Sequence, residues 1–175
     1  MDKLIRVSII GIFLLVSIGC ATSRINTQVP QKSKIDKTKI IYVMQAKDGA
    51  YGGKTYKGSG LNVSKIILRT LRNVQPLAQL VEETNEADAI KIAKQKDASY
   101  LIVPDLLHWE DRATAWSGYR DKVKIELRLL SLNPIETISS QTYYTTNNSI
   151  TFLNTKPEDL LDERFDKFIY QFLGE

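Results

Sequence analysis

The clearest pattern in the chain is an alternation of apolar and polar side chains over Lys122–Leu132. Successive side chains of a β-strand point to opposite faces, so this segment has one apolar face and one charged face. Asn133-Pro134 is a turn signal, and Ile135–Thr146 is again rich in residues that favour strands. The pattern predicts an antiparallel hairpin of two long strands.

Three other segments repeat their apolar residues at steps of three and four. The first is Leu61–Val74, the second opens after Asn85, and the third follows the T-K-P-E sequence at Thr155–Glu158 and reaches Phe172. This spacing places one apolar stripe along an α-helix. Asn and Thr are favoured helix caps, and Pro is tolerated in the first turn, so the pattern predicts three amphipathic helices.

Short apolar runs at Lys39–Gln45, Leu77–Val81 and Ser99–Trp109 predict three further strands, separated by the first two helices. The element order is then β-α-β-α-β-β-β-α. Right-handed crossovers make the first three strands parallel, and the hairpin extends the sheet in the antiparallel sense. We expect an α/β fold with a mixed five-stranded sheet in the order 2-1-3-4-5 and helices packed on the sheet.

The amino terminus has the features of an export signal. Lys3 and Arg6 form a short positive region, and the 13 residues of Val7–Gly19 carry no charge. A membrane-spanning helix needs roughly 20 apolar residues, so the run fits a cleaved secretory signal better.

The sequence V-S-I-G-C, which ends at Cys20, resembles the lipobox of bacterial lipoproteins. Gly19 is the expected small residue, whereas Ser17 replaces the usual Leu. The resemblance implies a signal peptide cleaved between Gly19 and Cys20, and diacylglycerol and palmitate-type chains on Cys20. The lack of Asp at Ala21 implies the outer membrane, on its periplasmic side. An uncleaved anchor or a soluble exported protein are the alternatives.

The predicted division is a signal peptide at 1–19, a lipidated cysteine with a flexible tether at 20–38, and one globular α/β domain at 39–175. The 156 residues left after cleavage suit one domain. The net charge is +4, and losing two cations and one anion with the signal leaves +3. Because the charges of both signs are mixed along the chain, we expect no nucleic-acid partner.

Nucleotide and metal sites are not expected from the motifs. The G-G-K-T sequence at Gly52–Thr55 lacks the earlier glycine of a phosphate loop, where Asp48 stands instead. The glycines are interpreted as suppliers of positive φ angles in a long connection. His108 is the only histidine and Cys20 the only cysteine, so no His/Cys metal set exists and no cofactor is expected.

Two segments carry a second resemblance: D-G-A-Y-G-G-K-T-Y-K-G-S-G at Asp48–Gly60 and V-P-D-L-L-H-W-E-D-R-A-T-A-W-S-G at Val103–Gly118. They resemble a family of bacterial lipoproteins known as domain of unknown function 4823, over about Ile40–Phe172. The resemblance implies lipoprotein status and no established activity. The element order also resembles the TolB amino-terminal domain and the CsgG-type lipoproteins, which is an analogy of fold.

The candidate binding loop joins two predicted strands and sets two tryptophans among charged residues. Its members are His108, Trp109, Glu110, Asp111, Arg112 and Trp116. Tryptophan beside arginine is typical of binding hot spots, and a core Trp with an Asp111–Arg112 surface pair is the equal alternative. A secondary candidate loop, rich in glycine and tyrosine, comprises Tyr51, Gly52, Gly53, Lys54 and Tyr56.

The sequence favours a membrane-anchored envelope lipoprotein that acts as a non-enzymatic interaction or assembly module and binds an envelope protein or glycan. One alternative is an envelope hydrolase that uses His108 with Ser117 and Asp111, or the carboxylates of Glu110 and Asp111. Adjacent strand positions point opposite ways, which argues against the carboxylate pair. The other alternative is a secretion or pore accessory, which requires a ring-shaped oligomer.

Overall fold

The structure is a computed structural model, and it describes residues 22–30, 35–112, 119–147 and 156–175. Gly19, Cys20 and Trp116 lie outside these ranges, as does Ser117. The predictions for these four residues therefore stay predictions. No helix within the four ranges combines the length and the apolar composition that a membrane crossing requires.

The described residues form strands, α-helices and one short 3-10 turn. In chain order they are β1 (Thr22–Val29), β2 (Ile41–Met44), β3 (Ala50–Tyr51), β4 (Lys54–Thr55), α1 (Ser59–Arg72), β5 (Gln79–Val81), α2 (Glu86–Gln95), β6 (Tyr100–Glu110), β7 (Lys122–Leu132), β8 (Ile135–Thr146), the 3-10 turn (Pro157–Leu160) and α3 (Glu163–Phe172).

The main sheet has the order β1-β8-β7-β6-β2-β5, and β3 pairs with β4 in a separate hairpin. Strand β2 lies parallel to β5 and β6, whereas β6, β7, β8 and β1 are antiparallel to their neighbours. The mixed α/β class is as predicted. The predicted count of five strands is wrong, because a sixth strand, β1, adds to the β8 edge, and the six-stranded order differs from the predicted one by this addition. The five predicted strands keep their predicted neighbours.

Strand β1 lies in the segment that the sequence predicted as a flexible tether, residues 20–38. Its residues pair with β8 from Thr22 opposite Thr146 to Val29 opposite Ser140. Most of its side chains are exposed, so no apolar pattern marks it in the sequence. Backbone hydrogen bonds to the edge of β8 take the place of side-chain burial. The prediction of a tether is wrong for these residues.

Helices α1 and α3 cover one face of the sheet. Val63, Ile67 and Leu71 of α1 are fully buried, as their spacing predicts. Three aromatic rings of α3 pack on Tyr143 of β8 and on one another, with ring centroids 5.1 to 6.3 Å apart. They are Phe165, Phe168 and Phe172. This side holds the larger of the two hydrophobic clusters.

On the opposite face, α2 packs against β2, β5 and β6. Its cap is the predicted one, because the Asn85 side chain accepts hydrogen bonds from the backbone N–H groups of Ala87 and Asp88. The smaller hydrophobic cluster lies beneath this helix. Polar and charged residues of β7, β8 and β1 occupy the rest of this face.

The last helix starts later than predicted. The backbone N–H of Lys156 donates to Asp159 Oδ2 at 2.9 Å, and only the 3-10 turn follows. The α-helix begins after Asp162, whose Oδ1 accepts the backbone N–H of Arg164 at 3.0 Å. The segment predicted as one helix is thus two short elements, and Thr155 lies outside the described residues.

Candidate functional site

Strand register brings distant residues into one row at an end of the main sheet. Glu110 at the end of β6 lies opposite Lys122, which lies opposite Thr146, which lies opposite Thr22. Directly opposed residues of an antiparallel pair share a face of the sheet. We call this the Glu110 end of the sheet, and it is where the predicted binding loop leaves β6.

The Glu110 carboxylate is the centre of this end. Its side chain is 3% exposed, yet it has three basic neighbours. Oε2 lies 3.0 Å from Lys122 Nζ and 3.1 Å from His108 Nε2, and Oε1 lies 3.1 Å from Arg112. The basic groups reach outward to solvent, being about a third exposed. The carboxylate is therefore buried beneath a partly solvated ring of donors.

These neighbours hold Glu110 in its ionised form. Burial by itself raises the pKa of Glu110, but hydrogen bonds from His108, Lys122 and Arg112, with the charge of Lys122, outweigh it and lower the pKa below 4.5. An ionised carboxylate only accepts hydrogen bonds, so His108 Nε2 is the donor in its contact. The arrangement stabilises a fixed charge and leaves no proton on Glu110 to transfer at neutral pH.

Arg112 connects the two loops that the sequence singled out. Its Nη1 donates to the Tyr51 hydroxyl at 3.2 Å, and its guanidinium lies 4.1 Å from the ring centre of Tyr119. Tyr51 also meets the His108 ring edge-on, with centroids 5.2 Å apart. The glycine-rich hairpin and the 108–112 segment thus share one surface, a point that sequence alone left open.

Trp109 is a core residue, which settles one of the two interpretations of this tryptophan. Its exposed fraction is 1%, and it belongs to the cluster under α1 and α3. A Cβ added to Gly49 would lie 2.4 Å from Trp109 Cβ, so only glycine fits against this ring. The binding-hot-spot interpretation is wrong for Trp109, and for Trp116 it stays a prediction.

Asp121 fixes the two flanks of residues 113–118, and no motif in the sequence marks it as a site residue. It is fully buried, and its Oδ1 accepts the backbone N–H of Arg112 at 2.7 Å. The side chain of Asn147 donates to Oδ2 and accepts from the backbone N–H of Asp121. Together with the contact between Arg112 and Tyr119, this holds the start and the end of the loop side by side.

Asp111 directly follows the last residue of β6, and its carboxyl group has different charged neighbours from that of Glu110. Burial raises its pKa first of all, and the charges of Asp121 and Glu158 raise it further against the lowering effect of Lys54 and Lys156. The charged groups that act on Asp111 are thus different from the His108, Lys122 and Arg112 side chains that act on Glu110.

The glycine-rich segment is a hairpin beside β6. Gly52 and Gly53 have φ angles of +57° and +79°, as a tight two-residue hairpin turn requires. Lys54 Nζ lies 4.4 Å from the ring centre of Tyr56. The backbone N–H of Gly60, at the start of α1, already donates to Asp48 Oδ1 at 3.0 Å. That donor is occupied within the chain, which argues against a phosphate loop.

The contacts of His108 differ from those that the hydrolase alternative proposed. The acid that contacts His108 is Glu110 instead of the proposed Asp111. Ser117 lies outside the described ranges. Within those ranges no three His, Cys, Asp or Glu side chains are grouped in a way that would hold a metal ion.

A cleft lies at the other end of the sheet. Its volume is about 570 Å³, and Lys39, Lys94 and Asn133 are among its lining residues. It is open and polar, and none of the predicted site residues lines it.

Three solved structures resemble this fold. The PelC dodecamer from Paraburkholderia phytofirmans aligns with a TM-score of 0.62 and 15% identity over 88% of this chain and 97% of that chain. Protein XCC0632 from Xanthomonas campestris, of family DUF330, gives 0.50 and 12% over 85% and 87%. The hypothetical protein CT253 from Chlamydia trachomatis gives 0.50 and 11% over 78% and 99%. At these identities the likeness shows the fold alone.

Sequence comparison is more specific than these structural matches. No curated protein matches the chain. The two segments that carry the sequence resemblance, Asp48–Gly60 and Val103–Gly118, both lie inside the range matched by one family. That match spans residues 33–172, and the chain belongs to the family described as Domain of unknown function (DUF4823).

Proposed function

We propose that this protein is a lipid-anchored lipoprotein of the bacterial envelope whose Glu110 end is a binding surface and not a catalytic centre. The signal features and the lipobox at Cys20 support the anchor. The outer membrane, with the domain on its periplasmic side, is the proposed location. The proposed partner of the loop at 108–119 is an envelope protein or glycan.

One observation carries the binding role. Both flanks of the 113–118 loop are fixed, by Asp121 to the backbone of Arg112 and by Arg112 to the Tyr119 ring. Arg112 is fixed in turn to the buried Glu110. Binding residues are commonly carried on loops that a rigid scaffold positions. The buried charge cluster serves here as such a scaffold.

Site-specific photocrosslinking tests this proposal in cells. A photoreactive phenylalanine analogue replaces Tyr119, which is 57% exposed, or, as a matched control, Ile135, which is 54% exposed at the β7–β8 turn. We expect an envelope protein or glycan adduct from position 119 and none from position 135. The same adduct from both positions, or none from 119, would contradict the proposal.

Trp116→Ala adds an independent arm. The variant changes the predicted binding residue, whereas Trp109→Ala would remove a buried ring and confound binding with unfolding. We expect the position-119 adduct to weaken at unchanged protein abundance. Metabolic labelling with palmitate, with Cys20→Ala as the unlabelled control, tests the anchor separately.

A second candidate function is a subunit of a ring-shaped assembly. The observation that favours it is the likeness to a PelC structure that is a dodecamer. The two outer strands of the main sheet, β1 and β5, offer edges to which another chain can pair. Native mass spectrometry of the detergent-solubilised lipoprotein tests it: a single high-order species supports a ring, and monomer alone argues against it.

A further inference from the structure

We propose that the face of β7, β8 and β1 at the Glu110 end docks on the anionic phospholipid headgroups of the membrane that holds the anchor. This inference rests on the proposed lipidation of Cys20. It names a surface and a ligand that lipidation alone does not require: three basic side chains, Arg24, Lys122 and Lys124, that contact lipid phosphates.

The first argument is distance. Strand β1 begins at Thr22, so Ala21 alone separates the sheet from Cys20. Two extended residues span only about 7 Å. Thr22 lies in the same cross-strand row as Thr146 and Lys122. A lipid on Cys20 therefore keeps this end of the sheet at the membrane surface.

The second argument is the sign of the charge along the face. Lys122 belongs to the first row, and the next row on the same face contains Lys124, Tyr144 and Arg24. Lys124 and Arg24 are exposed. The carboxylate of this region, on Glu110, is buried and already paired with basic groups. The outermost two rows therefore present positive charge.

Apart from the buried Glu110, the acidic residues of these rows lie further from the anchor along this face. Asp105 of β6 lies opposite Glu126 of β7 in the third row. Successive rows on one face are about 7 Å apart. The face is thus polarised, with its cations nearest to the predicted lipid and its carboxylates further away. This order complements a membrane whose phosphates lie at the Cys20 side.

The physical consequence is an orientation, held by short-range electrostatics. Basic residues near a membrane surface are attracted to anionic lipids, and the attraction decays within a Debye length of about 10 Å at 0.1 M salt. The short link from Cys20 to Thr22 keeps Lys122 and Lys124 within that range. The docked face is then shielded from solvent, while the opposite end of the sheet stays exposed.

The test uses the full lipidated protein, reconstituted into vesicles of phosphatidylcholine alone or of phosphatidylcholine with phosphatidylglycerol. Amine-reactive labelling, read by mass spectrometry, reports each lysine. We expect Lys122 and Lys124 to label several-fold more slowly in the anionic vesicles at low salt. Lys39 and Lys94, at the cleft on the opposite end, are the internal controls and should label equally in both.

A pair of matched variants sharpens the result. Arg24→Gln/Lys124→Gln removes two exposed cations and leaves the Glu110 cluster intact, so the fold is preserved. Docking should weaken on the order of tenfold, and Lys122 should then label nearly alike in both vesicles. Lys39→Gln/Lys94→Gln removes the same charge from the other end and should leave the protection of Lys122 unchanged.

Several results would overturn the inference. Equal labelling of Lys122 and Lys124 in the two vesicles, on protein shown by its mass to be acylated at Cys20, would reject headgroup docking and leave the anchor in place. Protection in intact envelopes but in neither vesicle would assign the face to an acidic protein partner. A Cys20 without acyl chains would reject the proposed function itself, and this inference with it.

Discussion

The two halves of the main sheet differ in how many of their faces are covered. In the parallel half, β2 lies between α2 and α1, and all four of its residues are buried. In the antiparallel half, α3 covers one side of β8, whereas the other side of β7, β8 and β1 carries charged and hydroxyl side chains. Parallel sheets usually have both faces buried by helices, whereas antiparallel sheets can expose one face to water.

This difference separates stability from recognition within one sheet. The apolar side of β7 and β8 packs against the aromatic rings of α3, and we expect it to supply much of the folding free energy. The polar side of the same strands is free to carry the rows of charge at the Glu110 end. Four substitutions, taken from the largest expected effect to the smallest, test this division.

Phe168→Ala should have the largest effect, because the ring is fully buried against Tyr143, Phe165 and Phe172. Removing a buried Phe typically costs about 3–5 kcal/mol of unfolding free energy. Urea denaturation measures the loss. The adjacent exposed Lys167→Ala is the control, expected within about 0.5 kcal/mol of wild type. A loss below about 1 kcal/mol for Phe168→Ala would contradict the central role of this cluster.

Gly49→Ala should be the next most costly. The new methyl group would overlap Trp109 Cβ and Cγ, at 2.4 and 2.7 Å, so the backbone or the ring must shift. Overpacking of this kind costs about 1–3 kcal/mol. Thermal unfolding measures it, with Ala50→Ser at the exposed next position as the control. A neutral Gly49→Ala would mean that Trp109 does not press on this backbone.

Glu110→Gln should destabilise the protein at pH 7 by about 1–2 kcal/mol, because hydrogen bonds to a charged group are lost. The folded-state pKa of Glu110 is lowered below its ordinary 4.5. Its ionised form therefore stabilises the fold above that pH, and the contribution disappears as the pH falls through the folded pKa. The difference in unfolding free energy between wild type and variant, measured by denaturation from pH 7 to pH 3, should decrease below about pH 4.5. If this difference does not change with pH, the charge of Glu110 is not responsible for it.

Asp111→Asn should have the smallest effect, and of opposite sign. Burial and Asp121 raise the pKa of Asp111, so its ionised form is disfavoured in the fold. Replacing it removes that cost, and we expect a gain of a few tenths of a kcal/mol at pH 7 that vanishes at low pH. Denaturation of Glu136→Gln, at an exposed position near the start of β8, provides the comparison. A loss of stability in Asp111→Asn would contradict a raised pKa of Asp111 in the folded state.

Local patterns predicted the elements whose side chains are sorted by burial. The alternation over Lys122–Leu132 matches β7 residue for residue, and Asn85 caps α2 as expected. Strand β1 escaped prediction because backbone pairing holds it, and its exposed side chains leave no pattern. The late start of α3 depends on Asp162, a cap placed among several acidic residues that compete for the same role.

The candidate site was predicted only in part, for a related reason. His108, Glu110 and Arg112 were selected from composition, and they do meet. Lys122 and Asp121 were not selected, because their contacts depend on the register between β6 and β7, which the intervening residues do not reveal. Trp109 was left open because a tryptophan beside charged residues reads the same in a core as on a surface.

The place of β1 in the sheet also has a mechanical consequence. If Cys20 carries the lipid, a force between membrane and domain enters the fold through Thr22, the first residue of β1. Seven residue pairs join β1 to β8, so a pull along the strand strains their hydrogen bonds together, in shear. A flexible tether would instead apply the force at a single point of the domain. Such an anchor would be continuous with a strand of the sheet. We therefore expect the domain to resist unfolding when force is applied through Cys20.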